Sequence, residues 1–213
     1  MQRADALPES VRQRGLAVLL ATTFLSWGGF FAVVPLISVH YVDQLGWTAA
    51  SVGLVLAVRQ FMQQGISSLT GAVADRIGPK PLICFGMVVR IGSFFLLAMA
   101  ETYPLVLASA MLMAIGGGFY ESPQAAATAA LTTPENRRRY FALSGTIAGL
   151  GTSLGTQAGA LLLSVNFATV ALIGAAAFIL ILIVNLLILI VNLLFLIVNL
   201  LFLPSISIST GSQ

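Results

Sequence analysis

The sequence predicts an all-α membrane protein built from six transmembrane helices. Of its 213 residues, 58% are hydrophobic and only 8% charged, with a mean hydropathy of +1.00. That leaves too little polar surface for a water-soluble domain. The apolar residues fall into six runs of about 20 residues or more, the length at which a helix crosses roughly 30 Å of hydrocarbon. A membrane strand needs only about ten residues of alternating pattern. Lipid offers the backbone no hydrogen-bond partner, so runs of this length must be helices.

The same composition excludes several functions. One His, one Cys and seven scattered acids supply no metal-ligand cluster, no Ser/His/Asp spacing and no phosphate-cradling loop, so an enzyme is not expected. The net charge of +3 is spread by topology and gathered into no patch, which argues against nucleic acid as a partner. Cys84 lies in an apolar run, where a free thiol behaves as a small hydrophobe.

In chain order, residues 1–14 carry Arg3, Arg12 and Arg14 and precede a first helix from about Gly15 to Val42. This run is too long for a signal-peptide core and has no cleavage site. Within it, Gly28, Gly29 and Pro35 either bend the helix or let a neighbour approach. A polar link, His40 to Thr48, leads to a second run, Ala49 to Thr70. Residues 71–80 form a charged turn before a third run, Pro81 to Ala100, and Glu101 to Pro104 turn the chain into a fourth, Leu105 to Leu131. The loop Thr132 to Tyr140 holds Arg137, Arg138 and Arg139, the fifth run covers Phe141 to Leu163, and Ser164 to Phe167 lead into the sixth. Eight Lys and Arg lie in the N-terminal segment and the two charged loops, and none in the links around Asp43, Glu101 and Asn166. This asymmetry places both termini in the cytoplasm, with His40 and Asp43 as solvated residues at the outer mouth.

Three charges remain inside apolar runs: Arg59, Arg90 and Glu121. Each costs at least about 2.5–3.5 kcal/mol at the bilayer centre, so they should face the bundle interior. Counting 1.5 Å per residue from the cytoplasmic ends puts Arg90 at about 13 Å, Glu121 at about 15 Å and Arg59 at about 17 Å. Arg90 and Glu121 are the expected pair. Either it is a structural ion pair that orients helices, or Glu121 titrates. In the second case, a substrate or helix movement that changes the distance to Arg90 loads or releases a proton. Gln60, Gln63, Gln64 and Gln124 add hydrogen-bonding groups at this level, although helical spacing cannot put all four on one face. Trp27, Phe30, Phe31, Phe61 and Phe119 are candidate cavity aromatics, suited to many amphipathic compounds or to packing alone. In the fifth run Gly151, Gly155 and Gly159 repeat every fourth residue, a stripe that admits a close neighbour helix.

The stretch Gly71-x-x-x-Asp75-Arg76-x-Gly78-x-Lys80, between the second and third helices, resembles the signature loop of the major facilitator superfamily of secondary transporters. Val34-Pro35-Leu36-Ile37-Ser38, Val42-Asp43-Gln44-Leu45-Gly46-Trp47 and Arg59-Gln60-Phe61-Met62-Gln63-Gln64-Gly65 are similar to the bacterial multidrug-resistance exporters of its drug:proton antiporter group. The resemblance covers about residues 10 to 180. It implies a multi-pass inner-membrane protein that expels small, mostly amphipathic or cationic compounds by proton antiport, with no cofactor beyond the proton gradient. Transport would proceed through alternating access between two six-helix halves. It also implies that Asp75 meets a helix N-terminus of the second half. The chain departs from the pattern at Pro79, where a basic residue is usual, at Ala110, where many relatives have arginine, and at Gly155-Thr156, in place of a Gly-Pro step.

The sixth run, Ala168 to Leu203, has 36 residues without a charge, about 54 Å of helix for roughly 30 Å of hydrocarbon. The cause is a heptapeptide: Ile181 to Leu187 recurs as Ile188 to Leu194 and, with Phe for Ile, as Phe195 to Leu201. Four segments are thus expected: a cytoplasmic segment (1–14), the N-terminal half-bundle (15–180), the heptapeptide extension of the sixth helix (181–203) and a short cytoplasmic tail (204–213). The tail does not resemble a connection to a second half. Two readings follow. In one, an expanded repeat with a premature end or frame change leaves a transport-inactive fragment. In the other, Asn185, Asn192 and Asn199, seven residues apart, form a polar seam through which the helix self-associates.

Overall fold

The computed structural model describes residues 9–202, nearly all of them helical, with no strand among the described residues. Six long helices follow one another: α1 (Glu9–Ser38), α2 (Ala49–Ile77), α3 (Pro79–Ala98), α4 (Tyr103–Leu131), α5 (Pro134–Leu163) and α6 (Phe167–Phe202). Arg3 and the tail 204–213 lie outside the described residues, as do the side chains of Asn192 and Asn199 in α6. The Asn185 amide donates to the carbonyl of Ile181 at 2.9 Å, a bond within its own helix.

On hydropathy and length, α1 with its continuation, α3, α4 and the described part of α6 can each cross a membrane. The 29 residues of α2 and the 30 of α5 are more polar. Their polar residues include buried Arg59, Gln63 and Thr70 and exposed Gln60, Gln64, Ser153 and Gln157.

Three connections are tighter than the apolar runs suggest. Residues Gly71 to Ile77 complete α2, so the expected ten-residue turn contracts to Gly78 alone. Its φ of +85° is a conformation that a side chain disfavours. Its amide donates to the Ala74 carbonyl at 2.9 Å, and Pro79 starts α3 where a missing N–H costs nothing. Likewise Arg137, Arg138 and Arg139 belong to the first turns of α5, after a break of only Thr132 and Thr133. The Thr133 amide donates to Asn136 Oδ1 at 2.9 Å, and the Arg137 guanidinium donates to the Ala129 carbonyl at the end of α4 at 3.1 Å. Third, α1 passes through Pro35 without ending and runs on as a π-helical turn, Val39–Gln44, in place of an open link. Tyr41 is buried there and donates to the Ala100 carbonyl at 2.6 Å, and the His40 ring stacks on Phe167 at 4.3 Å; only Asp43 is exposed as expected.

Helices adjacent in sequence are mostly not neighbours in space. α1 packs chiefly on α5 and α6, α3 on α4 and α6, and α2 on α4, which gives the order α5, α1, α6, α3, α4, α2. Glycines set the distances. A Cβ on Gly155 would collide with the backbone of Gly28 on α1, one on Gly159 with that of Ala32, and one on Gly151 would lie 2.7 Å from the Phe24 carbonyl. Gly28 and Gly29 therefore serve close approach, to α5 and α6 respectively. On α4, Gly116 abuts the backbone of Gly86 and Arg90, while Gly117 and Gly118 abut Gln63 and Ile66 of α2. With the helices this close, the Thr70 hydroxyl reaches the Gly118 carbonyl at 2.7 Å.

This packing separates two glycines of one helix. Gly155→Ala is expected to cost about 1–3 kcal/mol through overpacking. Gly149→Ala, whose new methyl meets nothing within 4 Å, should be neutral or stabilising by up to about 1 kcal/mol. Thermal unfolding of the two variants in the same detergent checks this, and equal midpoints would contradict the α1–α5 contact.

Candidate functional site

The glycine run of α4 brings the three membrane-depth charges together, one from each of α2, α3 and α4. Arg90 is 1% exposed, and its Nη2 lies 3.5 Å from Glu121 Oε1. Its guanidinium also sits 4.8 Å from the centroid of the Phe30 ring and 5.0 Å from that of Phe178. A cation over aromatic faces gains most where water is excluded. Arg59, 8% exposed, lies 5.1 Å from the same Phe30 ring. Its Nη1 donates to Gln63 Oε1 and its Nη2 to Gln60 Oε1, each at 2.8 Å. The Nε of each arginine is buried and has no hydrogen-bond partner among the described residues.

These groups line a cavity of about 190 Å³ among α1, α2, α3 and α4. Its apolar wall is Trp27, Phe30 and Phe31, with Trp27 and Phe31 stacked at 5.6 Å; its polar wall is Gln60, Gln63, Gln64, the two arginines and Glu121. A second cavity of about 160 Å³ adjoins it among α1, α4 and α5 and contains Thr23, Gln124, Thr128 and Ser144. Trp27 and Glu121 border both cavities. Glu121 differs from Arg90 in this respect: its side chain is 39% exposed, against 2% for Arg90.

Several expected residues sit elsewhere. Gln124 belongs to the second cavity, where its amide donates to Thr23 Oγ1 at 2.9 Å and to the Leu19 carbonyl at 3.3 Å. Phe61 is 80% exposed on the outside of α2, because a residue two positions from Arg59 on a helix faces the other way. Phe119 meets Phe85 edge to face at 5.0 Å, away from the charges. The signature residues spread along the end of α2 and the start of α3. Gly71 abuts the hydroxyl of Ser122, the residue after Glu121, whereas Asp75, Arg76 and Lys80 lie beyond it and are exposed, with no ion pair among the described residues. Phe178 was not a candidate on sequence. It stands in a uniformly apolar run, and only its opposition to Arg90 across the α3–α6 contact singles it out.

The family profile described as Major Facilitator Superfamily matches residues 19–204. The chain is 41% identical over 169 residues to the multidrug resistance protein MdtH of Edwardsiella ictaluri (strain 93-146), an alignment covering 79% of this chain and 42% of that protein. To MdtH of Yersinia pestis (strain Pestoides F) it is 41% identical over 175 residues, covering 82% of this chain and 44% of the relative. MdtH of Yersinia pseudotuberculosis serotype O:1b (strain IP 31758) gives the same values. The chain thus spans less than half the length of these relatives.

The unequal burial of the ion pair predicts unequal consequences of breaking it. Glu121→Met leaves a fully buried guanidinium without its counter-charge and should cost about 2–3 kcal/mol, a value reduced for the exposure of the carboxylate. Arg90→Met leaves a carboxylate that the cavity can hydrate, relieves repulsion with Arg59, and should cost about 1 kcal/mol less. Unfolding midpoints in mixed micelles rank the two variants, and the reverse order would refute the asymmetry.

Proposed function

The chain belongs to the major facilitator superfamily, and on that premise we propose that its six helices form the first half of a proton-coupled drug exporter of the bacterial inner membrane. They would work by alternating access against a second six-helix unit. The observation that carries this reading is the position of Glu121: a carboxylate at membrane depth, paired to a buried arginine, that borders two cavities large enough for small-molecule groups. An intramembrane ionisable residue exposed to a cavity suits proton handling and substrate contact better than a purely structural role. The multidrug resistance proteins to which the chain is similar support export as the direction.

The second six-helix unit is supported by the two polar helices. Gln60 and Gln64 of α2 and Ser153 and Gln157 of α5 are exposed in helices that must lie in the bilayer, where lipid cannot hydrogen-bond to them. α2 and α5 end the packing order of the bundle, and each contributes to a cavity wall. Burial of both against a second bundle would satisfy these groups and close the cavities on their open side. The positive end of this unit, with Arg76, Lys80 and Arg137 to Arg139, faces the cytoplasm on the charge asymmetry of the loops.

Proton coupling then has a simple physical form. Ionised Glu121 holds the Arg90 charge in a low-dielectric wall, and its protonation removes that counter-charge. Any ligand or helix movement that alters the 3.5 Å separation is therefore linked to proton binding.

The test is drug efflux from a hypersensitive host that expresses this chain together with the second half of an MdtH relative as a separate polypeptide. Energy-dependent efflux above the single-half controls is expected. Glu121→Gln should lower it at least about tenfold, the equivalent of about 1.4 kcal/mol. Normal membrane insertion of both halves without efflux would count against the reading.

A further inference from the structure

The cavity holds two arginines and one carboxylate, so its wall carries a surplus positive charge when all three are ionised. The surplus rests on Arg59. Arg90 has Glu121 beside it, whereas among the described residues both terminal nitrogens of Arg59 are met only by the neutral amide oxygens of Gln60 and Gln63. Amides satisfy the hydrogen bonds but leave the charge uncompensated. The guanidinium carbons of Arg59 and Arg90 lie 5.1 and 4.8 Å from one ring centroid, that of Phe30, and so stand no more than about 10 Å apart. Two like charges at that distance in a bundle of low dielectric repel each other. Each guanidinium also keeps a buried Nε–H without a partner among the described residues.

We propose that this cavity is an anion-recognition site, and that the compounds it selects are amphiphiles bearing a carboxylate or similar acid, with an aromatic or apolar body. The acid takes Arg59 as its principal partner, displacing the amide oxygens of Gln60 or Gln63, and the planar guanidinium matches a carboxylate in two-point contact. The body lies against Trp27 and Phe31, which are already stacked with each other. A cation has no such place: the one carboxylate is held by Arg90, and Arg59 repels it. This inference deepens the export reading and rests on it only for the claim that the bound compound is then moved.

The charge balance also fixes a sign. Among the described residues, the charged groups around Glu121 are Arg59 from α2 and Arg90 from α3; the cavity residues of α1 and α5, such as Thr23, Ser26 and Ser144, are all uncharged, and Tyr120 precedes Glu121 on α4. A ligand acid and ionised Glu121 share these arginines, so occupancy by the acid favours a proton on Glu121, and the proton favours the acid. A cationic ligand would have the opposite linkage.

The test uses the full chain with Trp47→Phe, which leaves Trp27 as its single tryptophan, in nanodiscs of phosphatidylcholine alone so that no anionic lipid headgroup can occupy the site. Quenching of Trp27 emission by 4-nitrobenzoate, 4-nitrobenzamide and 4-nitrobenzylammonium reads binding directly. Saturable quenching by the carboxylate at concentrations where the amide and the ammonium do not saturate is expected. Arg59→Gln should weaken the carboxylate about tenfold or more, with Arg59→Lys intermediate, and Glu121→Gln should strengthen it about threefold or more. Loss of carboxylate binding when phosphatidylglycerol is added would identify a lipid acid as a competing occupant of the same site. Equal or tighter binding of the ammonium, absence of binding by all three, or carboxylate affinity indifferent to both Arg59→Gln and Glu121→Gln would overturn the proposal. If Arg59→Gln does not fold, Glu121→Gln still decides. Carboxylate binding without efflux in the reconstituted two-half system would leave the site intact and remove the export reading instead.

Discussion

The constraint on which the rest of this bundle depends is the burial of the Arg90 guanidinium. A group that is always charged stands in the middle of an apolar helix with almost no access to solvent, and a free-standing charge there would be prohibitive. Three elements meet that cost together. α4 supplies the Glu121 carboxylate, α1 the Phe30 ring and α6 the Phe178 ring. None of these helices is adjacent to another in sequence, so the charge ties together the parts of the chain that a simple up-and-down order would leave apart. Phe30 has a second role, because its ring also lies beside Arg59. One aromatic ring thus lies beside two cations that electrostatics alone would separate.

That arrangement is possible only because the helices approach to backbone contact. Gly116 lets the chain at Arg90 lie against α4, and Gly117 and Gly118 bring Gln63 and Ile66 of α2 to its other side. A methyl at any of these three positions would meet an atom within 3 Å, so α2 and α3 would both be displaced outward and the charges would lose their neighbours. In lipid, where apolar surface gains nothing by leaving water, such packing contacts and the hydrogen bonds they allow carry helix association. The Thr70 bond to the Gly118 carbonyl and the Thr156 bond to the Phe31 carbonyl at 3.3 Å are examples on the two sides of the bundle.

Much of this was legible from residue spacing. The fixed rise of a helix puts Arg90 and Glu121 within about one turn of each other in depth, and a pair at that depth must face inward. The fourfold spacing of Gly151, Gly155 and Gly159 likewise marks the face that meets α1. What spacing could not supply was direction around the bundle. Gln63 and Gln124 both look like cavity residues by type and helix, yet one lines the first cavity and the other the second, because the order α5, α1, α6, α3, α4, α2 is a property of tertiary packing. Helix ends were misplaced for a different reason. Hydropathy marks where the hydrocarbon stops, whereas Asp75, Arg76 and Arg137 to Arg139 continue the backbone hydrogen bonding into water and remain helical. The π-helical turn at Val39–Gln44 was hidden for the same reason: His40 and Asp43 look like a loop, but Tyr41 anchors the turn to Ala100.

Charge at the two levels of the bundle does different work. The exposed charges of Asp75, Arg76 and Lys80 have no ion pair among the described residues, and exposed charges of this kind contribute little to stability even when paired. Their removal would leave the helices where they are. The buried trio cannot be removed so freely, since each member sets the electrostatic state of the other two. The Glu121 carboxylate stands beside Arg90, while the amides of Gln60 and Gln63 satisfy the terminal nitrogens of Arg59 without balancing their charge. Because Glu121 borders both cavities, this one carboxylate sets the charge of two walls at once, so a substitution there is felt in both.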